Sequence, residues 1–170
     1  MEITYTTTNC PLGKLIVAAT AKGLCMVSTG KTEAEVEERL FSQFPTATAT
    51  RNDIAMAPLR KAVEARIAGR NVDEKMPLDL RGTPFQVSVW KDMLTIPAGS
   101  TRSYAEVARR IGRPKAFRAV AQACGANPVP IVVPCHRVVA SGGKLGGYTG
   151  GIEKKLVLLA NEGVRNPGWT

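Results

Sequence analysis

Two adjacent residues, Cys135 and His136, are the side chains in this sequence best suited to nucleophilic chemistry. A thiolate is a strong nucleophile, and an imidazole can generate it from a thiol whose ordinary pKa is about 8.5. His136 is the only histidine among the 170 residues, so any imidazole chemistry must use it. Neighbouring side chains do not face each other in a strand or a helix, so the pair can cooperate only across an irregular turn or through a water. The alternative for a cysteine is a small buried hydrophobe, which we expect of Cys10, Cys25 and Cys124.

Prolines and glycines shape the segments on either side of this pair. Three prolines interrupt the apolar run 127–134, which excludes an interior helix and predicts a buried extended segment that leads into a turn. The glycine-rich stretch 141–147 lacks the Gly-Lys-Ser/Thr ending of a phosphate-binding loop, so we expect a wing and no nucleotide cofactor. Zinc is not expected, because the cysteines are not closely paired and one histidine is present.

Two short helices joined by a tight turn are predicted before the apolar run. Ser103 can cap the first, a Gly-Arg-Pro turn follows at 112–114, and the second spans 115–126 because Pro128 comes next. The pair fits a helix-turn-helix, although a packing hairpin that binds no DNA has the same pattern. The second helix is rich in alanine and glycine, which suits either close approach to DNA, in the minor groove, or simply helix formation and close packing. Five cations favour the DNA-binding alternative: Arg109, Arg110, Arg113, Lys115 and Arg118.

Charge separates the two halves of the chain. Residues 1–80 hold ten basic and ten acidic side chains, whereas residues 81–170 hold thirteen and four, so the formal charge of +9 lies in the second half. This asymmetry suits either a polyanion such as nucleic acid or a solvated basic face, and basicity alone does not decide between them.

Composition excludes several classes of protein. Hydrophobic residues make up 44% of the chain and charged residues 22%, which is typical of a soluble globular protein rather than a disordered, collagen or coiled-coil chain. No apolar run approaches the roughly 18 residues of a membrane span, and no secretory signal is visible. Four cysteines are too few for a disulfide scaffold. We therefore expect a cytoplasmic protein, nuclear in a eukaryote, that contacts no membrane.

The sequence pattern changes at residues 77–82, from the strands and helices of the first half to the mainly helical second half. This change predicts a boundary between domains 1–77 and 78–170. Strands are predicted at 3–8, 14–20 and 24–29, and their short connections favour an antiparallel meander. Helices are then expected from Thr32, through a capping box with Glu35, and from Pro58 to Gly69. This half carries no catalytic motif.

The second domain is predicted to be mainly helical. Thr83 and Gln86 form a capping signature at its first helix. The last helix has Ile152, Leu156 and Leu159 on its apolar face. Glu162 falls at the C-terminal end of that helix, where the helix dipole disfavours a carboxylate, so it either faces water or is held by a partner such as His136.

Taken together, these residues resemble the O6-alkylguanine-DNA alkyltransferases over about residues 77–163, while residues 1–76 look like the variable N-terminal domain of that family. The distinctive segment is Pro-Cys-His-Arg-Val at 134–138. Shorter motifs occur in the expected order: Ser103-Tyr104, Arg118-Ala119-Val120, Asn127-Pro128, Gly147-Tyr148 and Asn161-Glu162-Gly163.

The resemblance implies an α+β fold. A small N-terminal domain, ribonuclease H-like with a three-stranded antiparallel sheet and helices, precedes a mainly helical winged helix-turn-helix domain. The implied activity is that of a methylated-DNA–protein-cysteine methyltransferase. Such a protein binds duplex DNA in the minor groove, rotates the alkylated guanine out, and moves the alkyl group irreversibly to its own cysteine, once per molecule. O4-alkylthymine is a possible second substrate.

The resemblance also implies roles for individual residues. Cys135 is the nucleophile, His136 its base through a water, and Glu162 the residue that orients His136. Asn127 is the hinge between the recognition helix and the active-site turn. Arg118 takes the place of the rotated base, and Tyr104 crowds the target phosphate and donates a proton toward the purine. The guanine pocket is lined by Tyr148, Thr149, Gly150 and Val138. Thr149 replaces the serine of many relatives and can narrow that pocket.

Further contacts to DNA are expected from the helix pair and the wing, at Arg113, Lys115, Ala119 and Ser141. No cofactor and no metal are expected, because relatives that bind zinc use N-terminal histidines that this chain lacks. The expected partner is double-stranded DNA that contains alkylated bases, and the expected protein is a monomer that could bind DNA cooperatively.

Three alternative functions assign different roles to Cys135. A damage sensor binds DNA without chemistry, and the presence of the cysteine argues against it. A cysteine hydrolase usually takes its nucleophile and base from separate parts of the chain, whereas here they are adjacent. In a plain winged-helix transcription regulator the Cys-His segment would have no role.

Overall fold

The computed structural model describes residues 1–70 and 72–169 as two compact units, Met1–Arg81 and a second that begins at Gly82. The first unit is an α+β sandwich of one sheet with two helices, and the second is mainly helical, so the predicted fold class is confirmed. Among the described residues, no helix has the length and apolar character needed to cross a bilayer.

The sheet of the first unit has four strands, in the order β3-β2-β1-β4, and is mixed. Its members are β1 (Glu2–Cys10), β2 (Gly13–Thr20), β3 (Gly23–Gly30) and β4 (Thr48–Arg51). The first three strands form the predicted antiparallel meander, but β4 lies parallel to β1 at the edge, so the three-stranded prediction is wrong. Because β4 has four residues and almost no buried face, its sequence lacks the alternation that marks a strand.

Two helices cover this sheet. Helix α1 (Glu33–Gln43) begins after Thr32, whose hydroxyl accepts from the Glu35 amide as predicted, and it buries Val36 and Leu40. The Glu35 carboxylate accepts from the Lys31 amide at 2.8 Å and also interacts with the backbone of Thr32.

Helix α2 (Asp53–Ile67) starts five residues before the predicted Pro58, because the Asn52 side chain caps it by accepting from the Ala55 amide. Pro58 is tolerated inside the helix, since the carbonyl that loses its donor belongs to Ile54, which is 89% exposed. The helix ends at Ile67 with Ala68 as its C-cap, and Gly69 follows with φ +76°, in agreement with the predicted stop.

The described part of the second unit contains four α-helices, short 3-10 helices and a pair of two-residue strands. The α-helices and strands are α3 (Pro84–Met93), β5 (Arg102–Ser103), α4 (Tyr104–Arg110), α5 (Phe117–Gly125), β6 (Val138–Val139) and α6 (Ile152–Asn161). The capping boxes of Thr83 with Gln86 and of Ser103 with Glu106 are both formed. Helices α4 and α5 have the order of the predicted helix-turn-helix, although α5 begins two residues later than expected.

The segment 127–134 is a set of turns and not the predicted extended segment. Asn127 accepts from the Val129 amide through Oδ1 and donates from Nδ2 to the Val133 carbonyl, at 2.9 and 2.8 Å. These bonds replace strand partners and fold the chain back, with Ile131 at φ +78°. The Cys135 amide then donates to the Val133 carbonyl across Pro134, and a short 3-10 helix, Cys135–Arg137, leads into β6.

Candidate active site

Cys135 lies at the first position of the 3-10 helix, held in place by the turn that Asn127 organises. The residue is 8% exposed, and its thiol is hydrogen-bonded to the side chains of Asn127 and Tyr148. Burial raises the pKa of the thiol, while the contacts with Asn127, the Lys155 charge and Tyr148 act in the opposite direction. The net effect is upward, so the resting site holds a protonated thiol at neutral pH and needs a base to form the nucleophile.

One face of the His136 ring is fixed by the carboxylate at the C-terminal end of α6. Its Nε2 lies 3.1 Å from Oε2 of Glu162, while its Nδ1 is buried without a hydrogen-bond partner. Burial lowers the pKa of the imidazole and outweighs the opposing effect of Glu162, so the ring is neutral. With the proton on Nε2 directed at the carboxylate, Nδ1 keeps a free lone pair and is the basic atom of the ring.

Glu162 is held by partners, which is the second of the two alternatives drawn from the sequence. Arg137 makes a two-bond contact with it, Nε to Oε1 at 2.8 Å and Nη2 to Oε2 at 2.6 Å. Arg137 also donates from Nη1 to the Ile96 carbonyl at 2.7 Å. Burial alone would raise the pKa of Glu162, but the hydrogen bonds from Arg137 and His136 bring it to about 2. The carboxylate is therefore charged at neutral pH and fixes the orientation of the His136 ring.

Lys155 is a buried cation that the sequence did not single out. Its ammonium donates to the carbonyls of Val138, Leu145 and Gly147 at 2.7, 2.7 and 3.0 Å, and the residue is 0% exposed. It thereby ties β6 to the loop that precedes Tyr148. Burial lowers the pKa of Lys155 to about 8, so the group is mostly charged at neutral pH.

The buried face of α6 also differs from the prediction. It consists of Lys155, Leu158 and Leu159, whereas Ile152 is 37% exposed. The spacing of Lys155 three and four residues before two buried leucines is the sequence signal that could have revealed it. The sequence also did not identify Arg137 as a functional residue, although it follows His136 directly.

Several predicted pocket residues lie around the thiol. The phenol of Tyr148 contacts Cys135, and burial is the main reason that the pKa of this phenol is raised well above its ordinary value. Tyr104, at the start of α4, is half-buried and interacts with the backbone of Gly147, and burial raises the pKa of its phenol. Gly150 leaves room for the Tyr148 ring, because an added Cβ would lie 3.1 Å from that ring.

Two more of these residues are fixed by backbone contacts. The Thr149 hydroxyl donates to the Gly125 carbonyl at the end of α5, at 3.0 Å. Val138 is buried in β6, and its carbonyl accepts from Lys155.

The predicted DNA contacts form a separate group on the surface of the second unit. These residues are all exposed: Arg113, Lys115, Arg118, Ala119 and Ser141. Arg118 places its guanidinium carbon 5.9 Å from the centre of the Phe117 ring. The glycine-rich loop begins with a 3-10 turn, Ser141–Gly143, and is closed by a bond from the Ala140 amide to the Lys144 carbonyl.

In the part of the chain that the structure describes, no three His, Cys, Asp or Glu side chains are grouped so that they could hold a metal ion. The prediction of a site without metal or cofactor remains a prediction.

Two family models match the chain, one in each unit. Residues 3–80 match the ribonuclease-like domain of 6-O-methylguanine DNA methyltransferase. Residues 84–164 match the DNA-binding domain of the same family.

Individual proteins agree with these family matches. The methylated-DNA–protein-cysteine methyltransferase of Mycolicibacterium paratuberculosis is 42% identical over 97% of this chain and 95% of its own. The bifunctional transcriptional activator and DNA repair enzyme Ada of Escherichia coli is 40% identical over 95% of this chain, which spans only 46% of that relative. A crystal structure of a Mycobacterium tuberculosis relative in complex with DNA superposes with a TM-score of 0.75 at 39% identity, covering 96% of this chain and 95% of the other.

Proposed function

The chain belongs to the 6-O-methylguanine DNA methyltransferase family, and we propose that it repairs O6-alkylguanine in duplex DNA by moving the alkyl group to its own Cys135. The acceptor is consumed, so each molecule acts once. The observation that carries this proposal is a buried thiol beside a neutral imidazole whose Nδ1 is unpartnered and whose Nε2 is fixed by a charged carboxylate.

The thiol is activated by proton transfer to His136. Nδ1 of His136 accepts the Cys135 proton through a water, and the resulting imidazolium is stabilised by the Glu162 carboxylate, which stays ionised because Arg137 is bound to it. Asn127 holds the thiol and the turn together, so it fixes the position of the attacking sulfur.

Alkyl transfer then forms one bond and breaks another. The Cys135 sulfur attacks the alkyl carbon, the bond from that carbon to O6 breaks, and its electron pair stays with the guanine. Tyr104 supplies a proton to the leaving purine from a phenol that is protonated at neutral pH. The proton accepted by His136 balances the one that Tyr104 gives. A thioether results, which is why the reaction stops after one turnover.

The exposed cations of the helix pair would bind the DNA. Arg118 fills the space left by the rotated guanine, while Tyr148, Thr149, Gly150 and Val138 line the pocket that receives it. Arg113, Lys115, Ala119 and Ser141 contact the backbone of the duplex. Binding through such cations weakens as the salt concentration rises.

We propose the following further properties for this protein. They comprise domains at 1–77 and 78–170, activity without a cofactor or metal, a monomer that could bind cooperatively, O4-alkylthymine as a second substrate, and a cytoplasmic or nuclear location.

A label-transfer experiment tests the proposed function. The protein is incubated with a duplex that carries one radiolabelled O6-methylguanine, and the label on the protein is counted at completion. We expect close to one methyl group per molecule, none with Cys135→Ala, and no change with Cys10→Ala as the matched cysteine control. Retained DNA binding by Cys135→Ala would separate loss of chemistry from loss of folding. Transfer beyond one group per molecule, or unchanged transfer by Cys135→Ala, would contradict the proposal.

A further inference from the structure

Phe117 is a large apolar side chain on the surface of the basic helix-turn-helix. It is the first residue of α5 and is 44% exposed. Cations precede it at Arg113 and Lys115, and the next two residues, Arg118 and Ala119, are exposed as well. The inward face of α5 is formed by other residues, Val120, Ala123 and Cys124. The ring therefore lies on the side of the helix that faces outward.

The guanidinium of Arg118 lies over this ring, with its carbon 5.9 Å from the ring centre. Successive positions on a helix point about 100° apart, so Arg118 must fold back to reach its neighbour. A cation over an aromatic face is attracted by the ring quadrupole, which limits the rotamers of a side chain that is otherwise very flexible. The contact holds both side chains in one region at the start of α5.

We propose that Phe117 is a DNA wedge, which inserts at the base step beside the alkylated guanine and stacks on a base that the rotation leaves uncovered. This inference rests on the proposed function, because it concerns the step that brings guanine to Cys135. Rotation of one nucleotide exposes the faces of its two neighbours in the stack. An aromatic ring recovers one of these stacking contacts, and apolar wedges between base steps are a known means of opening the minor groove.

Phe117 and Arg118 then have different roles at the place in the base stack that the rotated guanine leaves. Arg118 replaces the polar edge of the missing base, and Phe117 replaces part of its stacking surface. The contact between them delivers the guanidinium to the same step as the ring, so Arg118 does not have to search for its place after the base has left. The small residues that follow on α5 let the backbone approach closely enough for both side chains to enter.

The test compares two substrates in single-turnover reactions, a duplex with one O6-methylguanine and the free O6-methylguanine base, which needs no rotation. We expect Phe117→Ala to slow transfer from the duplex about tenfold, equivalent to about 1.4 kcal/mol, while its rate with the free base stays within about twofold of the parent. Phe117→Trp keeps a stacking ring and should restore most of the duplex rate. Leu94→Ala is the matched control, because Leu94 is 42% exposed in the same unit, and it should leave both rates unchanged.

A second measurement follows the unstacking itself. In a Cys135→Ala background, 2-aminopurine beside the lesion should fluoresce less after Phe117→Ala than with Phe117 present, or respond only at higher protein concentration. Equal duplex rates and equal fluorescence with and without the Phe117→Ala substitution would overturn the wedge. So would equal slowing of both substrates, since that pattern indicates a role in folding. Absence of transfer by the parent protein would instead contradict the proposed function.

Discussion

The two units of this chain place polar side chains inside their cores in different ways. In the first unit the buried polar residues are Thr6 and Thr7, whose hydroxyls donate to the carboxylates of Asp53 and Glu33 at the surface. In the second unit His136, Arg137 and Lys155 are buried, and the Glu162 side chain is 3% exposed. Among the described residues of the first unit, the ion-paired side chains are at least a quarter exposed, apart from Asp79 at 10%. The second unit instead buries Arg137, Lys155 and the Glu162 side chain.

This difference separates a stabilising core from a chemical one. A buried ion pair is often no more stabilising than apolar side chains of the same volume, because both ions lose their hydration. The charges inside the second unit are therefore not explained by stability. Their role is to position residues of the candidate site. Arg137 fixes Glu162, and Glu162 in turn fixes His136. Lys155 joins β6 to the loop that precedes Tyr148.

The largest effect is expected when the carboxylate of the second unit is replaced. Glu162→Gln puts an amide NH₂ against the donors of Arg137 and leaves that guanidinium buried without its counter-charge. We expect the free energy of unfolding to fall by about 3–5 kcal/mol, the usual result of breaking a buried pair. Urea unfolding followed by tryptophan fluorescence reports on this unit, since both tryptophans, Trp90 and Trp169, lie in it. A loss below about 1 kcal/mol would show that the pair behaves as a surface contact.

The same variant predicts how that loss depends on pH. The folded-state pKa of Glu162 is about 2, below the ordinary value of 4.5, so the stability due to its ionisation is complete above about pH 4.5 and is lost as the pH falls towards 2. The parent and Glu162→Gln should therefore differ most at neutral pH, and the difference should shrink below about pH 4.5 and close near pH 2. Groups that do not interact with Glu162 cancel in this difference, whereas His136 does not, because its pKa depends on the Glu162 charge. Unfolding curves at several pH values provide the measurement, and a gap that stays constant down to pH 3 would contradict the assigned pKa.

A smaller effect is expected at the other buried charge of this unit. Lys155→Met leaves the carbonyls of Val138, Leu145 and Gly147 without their donor but also removes an ammonium that was costly to bury. We expect a net loss of about 1–3 kcal/mol in the free energy of unfolding. Methyl transfer should slow as well, because the loop that carries Tyr148 is released.

Lys91→Met is the control for this substitution, since it makes the same chemical change at an exposed position on α3 of the same unit. It should alter the free energy of unfolding by less than about 0.5 kcal/mol. Equal losses in the free energy of unfolding for the two variants would mean that the three hydrogen bonds of buried Lys155 do not contribute to stability.

The two units also differ in how far their sequences predict them. Strands β1, β2 and β3 and the caps at Thr32, Thr83 and Ser103 are confirmed, because alternation and capping are local signals. Strand β4 was missed, because its pairing with β1 depends on a distant partner rather than on its own four residues. The turns at 127–134 were missed for a similar reason, since the Asn127 side chain replaces the backbone partners that an extended segment would need.

The candidate site shows the same limit at the level of side chains. Cys135 and His136 can be found from the sequence because their chemistry is rare and their spacing is local. Arg137 and Lys155 look like surface cations, since charged residues are seldom buried unless they are paired. Helical spacing places Lys155 on the same face as Leu158 and Leu159, but it does not identify the acceptors that allow a charge to be buried there. These acceptors lie 8 to 41 residues away along the chain, from Gly147 for Lys155 to Ile96 for Arg137.

The smallest effect is expected for the same Glu-to-Gln change in the first unit. Glu64 pairs with Arg60 one turn earlier on α2, at 2.5 Å, but the two side chains are 34% and 25% exposed, so water screens them. The acidic member follows the basic one and lies near the C-terminal end of the helix, which is the weaker orientation for such a pair. We expect Glu64→Gln to change the free energy of unfolding by at most about 0.5 kcal/mol, in either direction. Far-UV circular dichroism, which reports on both units, provides the measurement. A loss as large as that of Glu162→Gln would remove the distinction between the two units. It would mean that the free energy lost on removing a carboxylate does not depend on whether its ion pair is buried.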